Sequence, residues 1–113
     1  MELRKARIGD VPDMQRLINS FADKGELLHR SLNQLFENIR DFYVLEDEGR
    51  LVGTCALHVN WADLAEIMAL TVDEAYQGKG LGRRLIEACM EDSKDLGIYR
   101  VFALTYKPEF FVK

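Results

Sequence analysis

Apolar residues in the first quarter of the chain recur at the spacing of a helix that buries one face. The repeating positions are Val11, Met14, Leu17, Ile18 and Phe21. Asp10 precedes them as a potential N-cap with Asp13 at the capping-box spacing, and Pro12 suits the first turn. The pattern predicts a helix that ends at Gly25. Residues 2–8 alternate loosely and predict an edge strand.

A second capping box predicts a shorter helix. Ser31 and Gln34 have the spacing at which each side chain can bond to the backbone N–H of the other residue. The apolar residues that follow at helical spacing are Leu32, Leu35, Phe36 and Ile39. We expect these four side chains to face inward.

The middle of the chain is predicted to form three strands joined by tight turns. Residues 42–46, 51–61 and 65–72 have strand character, and the turns lie at 47–50 and 61–64. Turns this short join antiparallel neighbours, so the three strands predict a meander. The last of these strands is apolar on both faces, which predicts a place in the middle of a sheet that is covered on each side.

A helix and a strand complete the pattern. The apolar stripe of the helix over residues 81–96 consists of Leu81, Leu85, Cys89 and Leu96, and Gly97 suits its end. Residues 98–104 predict a strand, and a helical connection from residues 65–72 requires a parallel, right-handed unit. The predicted class is α/β, of the α+β type: a mixed, mostly antiparallel sheet with one parallel pair around a helical crossover and helices on both faces.

Composition adds few limits to this picture. The 113 residues suit one domain, 1–113, and their formal charge of −4 argues against a general nucleic-acid binder. Cys55 and Cys89 belong to no metal-ligating cluster and are expected to be buried free thiols. Because the sequence shows neither a membrane span nor a signal peptide, a reducing cytoplasm is the expected setting.

The most informative candidate chemistry lies between the last strand of the meander and the long helix. Residues 77–82 read Gln-Gly-Lys-Gly-Leu-Gly. A glycine-rich turn from a strand into a helix leaves backbone N–H groups free at the helix N-terminus, where they can hold an anion such as a phosphate. Lys79 and Arg83 can add charge-assisted contacts. The alternative is a tight turn that is merely rich in glycine.

A longer motif surrounds this turn. Residues 70–76, Leu-Thr-Val-Asp-Glu-Ala-Tyr, lead into Gln77, Gly80 and Gly82. In its strand–turn–helix setting this motif resembles the Gln/Arg-x-x-Gly-x-Gly/Ala turn of the GNAT family of N-acetyltransferases, which binds the pyrophosphate of acetyl-CoA. The resemblance implies the GNAT fold, acetyl-CoA as the cofactor and a small-molecule amine as the acceptor.

The resemblance also implies which residues hold the cofactor. The contacts of the pyrophosphate would be Gln77, Gly78, Lys79, Gly80, Leu81, Gly82 and Arg83. In the family, the fourth strand bulges away from the fifth and the pantetheine arm enters as an extra strand. Here that arm would bond to the backbone of Leu70, Thr71 and Val72.

A narrower resemblance concerns the acceptor. Residues 24–31, 38–42, 64–67 and 101–106 are similar to the acetyltransferase domain of short N-acetylglutamate synthases. This implies that the acceptor is the α-amino group of L-glutamate. The family builds its acceptor pocket at the loop between the first two helices, and the cations that this loop offers to the carboxylates are Lys24 and Arg30.

The acid–base groups are predicted from the same strands. Glu66 is the favoured base, because a carboxylate in an apolar strand has a raised proton affinity. We expect it to share a strand face with Met68 and Leu70, and His58 on the neighbouring strand is a second candidate.

The general acid departs from the family pattern. The residues Phe-Phe-Val-Lys at 110–113 are similar to the family's Phe-Tyr-Glu-Lys stretch, and Phe111 stands where the family has its tyrosine acid. Tyr106 or water would therefore protonate the leaving thiolate.

Two functions stay open at this point. Family members continue past Lys113 with two further strands, so residues 98–104 would form an exposed apolar edge that can pair with a second copy in a homodimer. A truncated chain and a degenerate binding module are the two alternatives to such a dimer. The chain is thus predicted to be either an acetyl-CoA-dependent N-acetyltransferase or a non-catalytic CoA-binding sensor or interaction module.

Overall fold

The structure is a computed structural model and describes residues 1–103 of the chain. Its strands are β1 (Glu2–Lys5), β2 (Phe42–Asp47), β3 (Arg50–Trp61), β4 (Leu64–Val72) and β5 (Val101–Ala103). Its helices are α1 (Val11–Asp23), α2 (Leu32–Glu37) and α3 (Leu81–Asp95). Short 3-10 helices cover Ile8–Asp10, Ile39–Asp41 and Glu74–Tyr76. Within the described part of the chain, no helix has the length and apolar character needed to cross a membrane.

The five strands form one sheet in the order β1-β2-β3-β4-β5. The first four strands pair antiparallel, whereas β4 and β5 pair in parallel, with Ala65 opposite Val101 and Ile67 opposite Ala103. Helix α3 makes the crossover between this parallel pair. The predicted fold class and the parallel unit are therefore confirmed. The homodimer predicted from the edge of residues 98–104 stays a prediction.

Each face of the sheet has its own hydrophobic core. On one face, α3 places Leu85 and Cys89 against Cys55 of β3, and the two thiol sulfurs are 3.6 Å apart. On the other face, α1 places Met14 and Ile18 against the sheet, in a core closed by Leu35 of α2. All of these side chains are 0% exposed. Helices thus cover both faces, as the apolar pattern of the fourth strand predicts.

The apolar stripes extend less far into the core than the sequence indicates. Leu96 is 57% exposed, because α3 ends at Asp95 and the chain turns away at Gly97, whose φ is +84°. In α2, Leu35 is buried, whereas Leu32 and Phe36 are 43% and 41% exposed. Because α2 has only six residues, only one side chain of its apolar stripe, that of Leu35, is buried against the core.

The two predicted capping boxes have different outcomes. Ser31 and Gln34 form theirs, with each side chain accepting from the other's backbone N–H at 3.1 and 2.9 Å. Asp10 does not cap α1. Its carboxylate instead accepts hydrogen bonds from Arg4, at 2.8 and 3.0 Å, and from the backbone N–H of Arg7, at 2.7 Å. The hydrogen bonds from Arg4 lower the pKa of Asp10, so the charged pair fixes the chain between β1 and α1.

Candidate active site

The turn between β4 and α3 is held by two side chains that precede it. Asp73 accepts a hydrogen bond from the backbone N–H of Ala75 at 3.0 Å and so begins the 3-10 helix Glu74–Tyr76. Gln77 donates its side-chain amide to the carbonyl of Val72 at 2.9 Å. The amide of Gln77 therefore fixes the end of the strand relative to the turn, which gives this motif residue a role in organising the backbone.

The glycines of the turn have backbone conformations that other residues adopt only with strain. Gly78 and Gly80 have φ of +81° and +77°, in the left-handed region. Gly80 is also the N-cap of α3, and no side chain caps this helix end. The first helical hydrogen bond is the one from the N–H of Arg84 to the carbonyl of Gly80, at 3.2 Å. The preceding N–H groups, of Leu81, Gly82 and Arg83, thus belong to the helix end that can receive an anion.

The side chains around the turn divide into buried and charged groups. Leu81 and Gly82 are buried, so they can offer only their backbone to a ligand. The ammonium of Lys79 lies 5.5 Å from the ring centre of Tyr76, and Arg83 is exposed. Tyr76 in turn donates its hydroxyl to Asp47 at 2.8 Å, which raises the pKa of the phenol. The turn therefore presents backbone N–H groups and cations on one surface.

Strand β4 contains a bulge directly before this turn. Thr71 lies opposite Thr54 of β3, and Met68 lies opposite Ala56, so two residues of β4 face Cys55 alone. The first of these two residues, Ala69, has a φ of +53°.

A buried threonine pair supports this strained residue. Thr54 donates its hydroxyl to the carbonyl of Ala69 at 2.8 Å, and its oxygen is 2.7 Å from the hydroxyl of Thr71. Both threonine side chains are buried.

The bulge changes which face of the sheet each side chain occupies. Ala65 and Ile67 belong to the α3 core, whereas Met68 packs against the α1 core. Leu70 packs against the α3 core again. By the alternation of side chains, Glu66 lies on the α1 face together with Met68. The expectation that Glu66 shares a face with Leu70 is therefore wrong, because the extra residue at the bulge reverses the alternation.

Within residues 1–103, the edge of β4 that faces β5 has no described strand partner beyond Ile67. The N–H of Asp73 bonds to the carbonyl of Val52 in β3 at 2.8 Å. Backbone groups alternate along a strand, so Thr71 also faces β3, and the peptide groups of Leu70 and Val72 face the opposite side. On that side the described pairing with β5 ends at Ile67. The pantetheine contacts of Leu70, Thr71 and Val72 stay a prediction, and the side chain of Thr71 also bonds to Thr54 at the bulge.

A cleft of about 260 Å³ opens on the α1 face beside the bulge. Its lining consists of Arg30, Asn38, Asp41, Phe42, Ala56, His58 and Met68. The cleft combines an apolar floor with a small number of polar groups, as is common in sites for small molecules.

Arg30 is the cation of this cleft. Its backbone is fixed to α1, since Asn19 accepts from its N–H at 2.9 Å and both Gln15 and Asn19 donate to its carbonyl at 3.2 Å. The guanidinium lies 6.0 Å from the ring centre of Phe42, and burial lowers its pKa. Within residues 1–103 the guanidinium forms no ion pair at contact distance. A half-buried cation of this kind can bind the carboxylate of a ligand.

Two acidic groups and a histidine surround Arg30. Glu66 is half-buried and lies directly opposite His58 in the pairing of β3 with β4. The ring nitrogen Nδ1 of His58 is 2.9 Å from a carboxylate oxygen of Asp41. The charges of Glu66 and Asp41 raise the pKa of Arg30 and so oppose the larger effect of its burial. Glu66 and Arg30 are thus close enough for their charges to interact, and their roles at one site stay predictions.

The structure does not bring Lys24 to this cleft. Its ammonium pairs with Glu74 beside the glycine turn and lies 5.3 Å from the ring centre of Phe21. Tyr106 and Phe111 lie outside the described residues. The role of Lys24 as an acceptor contact and that of Tyr106 as an acid therefore stay predictions.

Sequence reasoning missed Asp41 and Thr54. Asp41 enters the cleft through the 3-10 helix Ile39–Asp41, which lacks a periodic sequence pattern. Thr54 did offer a signal, since it is a polar residue within the apolar strand β3. A buried hydroxyl requires a partner, and that requirement points to an irregularity in a neighbouring strand.

Comparison with known proteins places this site in context. The profile of the Acetyltransferase (GNAT) family matches residues 11–110. An amino-acid acetyltransferase of Mycobacterium tuberculosis is 40% identical over 114 residues, which cover 98% of this chain and 65% of that protein. An uncharacterized N-acetyltransferase of Chlorobaculum tepidum is 37% identical over 109 residues, which cover 96% of this chain and 70% of that protein.

The fold is also similar to solved structures. The N-acetylglutamate synthase of Neisseria gonorrhoeae, complexed with coenzyme A and N-acetyl-glutamate, has a TM-score of 0.94 at 38% identity. That match covers 97% of this chain and 26% of the synthase. A Mycobacterium tuberculosis protein solved in complex with CoA has a TM-score of 0.92 at 39% identity, and the match covers 98% of this chain and 68% of that one. The chain thus spans from about a quarter to about two thirds of the length of these relatives.

We expect Gly80→Ala to weaken CoA binding, because alanine in the left-handed region costs about 1–2 kcal/mol. Urea unfolding should show a loss of about 1 kcal/mol, and calorimetry should show a CoA dissociation constant that is raised about tenfold. The matched control is Gly9→Ala, since Gly9 lies in the 3-10 helix Ile8–Asp10 and its added Cβ meets no atom within 4 Å. Equal CoA affinities of the two variants would contradict the role of the turn.

Proposed function

The chain belongs to the GNAT family of acetyltransferases, and from this premise we propose that it transfers the acetyl group of acetyl-CoA to the α-amino group of a small amino acid. L-glutamate is the first candidate for the acceptor. The observation that carries the proposal is the position of the bulge in β4. It lies between an anion-binding helix end and a cleft with a cation, so one extended ligand can reach both.

The cofactor half of the proposal rests on the turn and the open strand edge. The diphosphate of acetyl-CoA binds to the N–H groups at the start of α3, where the helix dipole adds about half a positive charge. Lys79 and Arg83 add charge-assisted contacts. The pantetheine arm then bonds as an added strand to the backbone of Leu70 and to the N–H of Val72, since Gln77 already occupies the carbonyl of Val72. This path directs the thioester toward the α1 face of β4.

The acceptor half rests on Arg30 and its surroundings. A carboxylate of the amino acid pairs with the guanidinium, which forms two parallel hydrogen bonds to such a group when the geometry allows. The apolar floor of the cleft, from Phe42 and Met68, holds the carbon chain. Lys24 remains the proposed second cation for a dicarboxylate acceptor, and this role would require it to leave Glu74.

The chemistry needs a neutral amine beside the thioester carbon. Glu66 lies on the same face as the cleft and accepts the proton of the ammonium, directly or through one water molecule. The amine attacks the thioester carbon, the carbon–sulfur bond breaks, and the CoA thiolate takes a proton from Tyr106 or from water. Holding the amine and the thioester together supplies a large part of the rate acceleration.

A thiol-release assay with acetyl-CoA and a panel of amino acids tests the proposed function. We expect CoA release with an amino-acid acceptor, fastest for glutamate, and mass spectrometry should find the acetylated product. The matched control omits the acceptor. If calorimetry shows CoA binding but no amino acid gives release, the chain acts instead as the non-catalytic CoA-binding module, which Phe111 at the position of the family's tyrosine would favour.

Arg30→Gln should raise the acceptor KM by about 10- to 100-fold, because a charge-assisted bond to the carboxylate is lost. The matched variant is Lys24→Gln, which removes the other predicted cation. Steady-state kinetics at saturating acetyl-CoA separate the two. A larger rise in KM for Lys24→Gln than for Arg30→Gln would show that the acceptor lies nearer the turn than the cleft.

Glu66→Gln should lower kcat by about 10²- to 10⁴-fold, because glutamine cannot accept the proton of the ammonium. The affinity for CoA, measured by calorimetry, should stay the same, since Glu66 lies on the α1 face of the sheet and α3 packs on the other face. Unchanged turnover would mean that Glu66 is not the base.

A further inference from the structure

A histidine–aspartate pair lies in the acceptor cleft and has no role in the proposed proton transfer to Glu66 or in the attack on the thioester. Nδ1 of His58 is 2.9 Å from the carboxylate of Asp41, and the two side chains are 43% and 28% exposed. Both residues line the cleft with Arg30. The imidazole therefore contacts the cleft on one side and solvent on another.

The fold fixes the position of both partners. His58 lies on β3, whose neighbour β4 places Glu66 directly opposite. Asp41 ends the 3-10 helix Ile39–Asp41, and the next residue, Phe42, is fully buried and begins β2. The N–H of Asp41 also bonds to the carbonyl of Asn38 at 3.0 Å. The backbone of Asp41 is thus fixed by its own hydrogen bond and by the burial of the residue that follows it.

The hydrogen bond to Asp41 determines which ring nitrogen of His58 can accept a proton. An ionised carboxylate can only accept hydrogen bonds, so Nδ1 of the neutral ring carries the hydrogen and donates it. Nε2 then has the free lone pair. The pair therefore presents a proton acceptor of fixed tautomer, with a carboxylate that stabilises the imidazolium once it forms.

Charged groups from three elements lie around the ring. Among residues 1–103 the charged groups that face His58 are Asp41 from the 3-10 helix, Glu66 from β4 and Arg30 from the loop before α2. Two of them are anionic and one is cationic.

We propose that His58, positioned by Asp41, accepts the proton that Glu66 takes from the substrate ammonium and passes it to solvent. This inference rests on the proposed function and goes beyond it. Asp41 is a positioning residue, because it acts through the imidazole and has no contact with the reacting atoms. Glu66 alone would have to release its proton from a half-buried site that the bound acceptor covers, whereas His58 provides a path to water.

The proton balance of the reaction requires such a path. The ammonium loses one proton before attack, and the nitrogen loses a second proton when the amide forms. The CoA thiolate takes up one proton, so each turnover releases one proton to solvent. In the proposed route, the N–H bond of the ammonium breaks, the proton moves through Glu66 to Nε2 of His58, and the imidazolium then gives it to bulk water.

The test compares His58→Gln with His29→Gln in the CoA-release assay. His29 is the other histidine of the chain and forms an exposed pair with Asp23 at 2.6 Å, so its loss should leave the rate unchanged. We expect His58→Gln to lower kcat about tenfold or more in dilute buffer near neutral pH, with unchanged affinity for CoA. Added imidazole should restore part of this rate by carrying the proton. The unaltered chain should not respond to imidazole.

Asp41→Asn provides the second readout. Nitrogen-15 NMR of the ring should show the hydrogen on Nδ1 in the unaltered chain and on Nε2 in Asp41→Asn, because the asparagine amide donates to Nδ1. The spectrum of His29→Gln assigns the signals, since only two histidines are present. The acid limb of the pH profile of kcat should move in both Asp41→Asn and His58→Gln. The variant that carries both substitutions should have a kcat no lower than that of His58→Gln.

Each outcome bears on one of the two proposals. Full turnover of His58→Gln at every pH, without any response to imidazole, would overturn the proton route while leaving the acetyltransferase function in place. A ring that keeps its hydrogen on Nδ1 in Asp41→Asn would overturn the positioning role. Absence of CoA release by the unaltered chain with every amino acid would overturn the proposed function, and the proton route with it.

Discussion

The candidate site depends on one strained residue inside the sheet. Ala69 has a left-handed backbone, which costs about 1–2 kcal/mol for a residue with a Cβ. Thr54 offsets this cost with a buried hydrogen bond to the carbonyl of Ala69 and a second hydrogen bond to Thr71, each worth about 1 kcal/mol. The strain is therefore maintained by a polar pair that a regular strand would not need.

This constraint determines where both halves of the site lie. Without the extra residue, regular alternation would place Met68 and Leu70 on one face of the sheet. Leu70 and Val72 would then lie on the α1 face, away from the α3 core against which they pack. With the bulge in place, Glu66 lies on the α1 face, as does the cleft of Arg30. Beyond the bulge, β4 continues toward the glycine turn. The N-terminus of α3 then follows within a few residues. The bulge thus lies between the N-terminal end of α3 and the cleft of Arg30.

The parts of the structure that could be predicted from sequence are those that depend on neighbouring residues. The glycine turn has its signal within six positions, because Gly78 and Gly80 are the residues that adopt positive φ without strain. The capping box of Ser31 and the parallel unit around α3 are local in the same sense. Resemblance to a family extended this interpretation to Glu66 and Arg30, whose charges interact in the structure and whose roles stay predictions.

The missed parts depend on contacts between distant positions. The bulge at Ala69 is stabilised by Thr54, which lies on another strand, and no property of alanine predicts it. Asp10 is drawn away from its predicted cap by Arg4, and Lys24 is drawn away from the cleft by Glu74. In each case a charged or polar side chain has several possible partners, and only the folded chain selects one.

The buried thiols of the α3 core have a practical consequence for experiments on this protein. Cys55 and Cys89 are both fully buried, and the hydrogen bond between them, together with burial, raises the pKa of the Cys55 thiol. In a CoA-release assay, a disulfide reagent added to the native chain therefore meets no exposed thiol of the protein, and its colour reports only the released CoA. After denaturation the same reagent would count two equivalents per chain, which makes it a direct measure of the unfolded fraction.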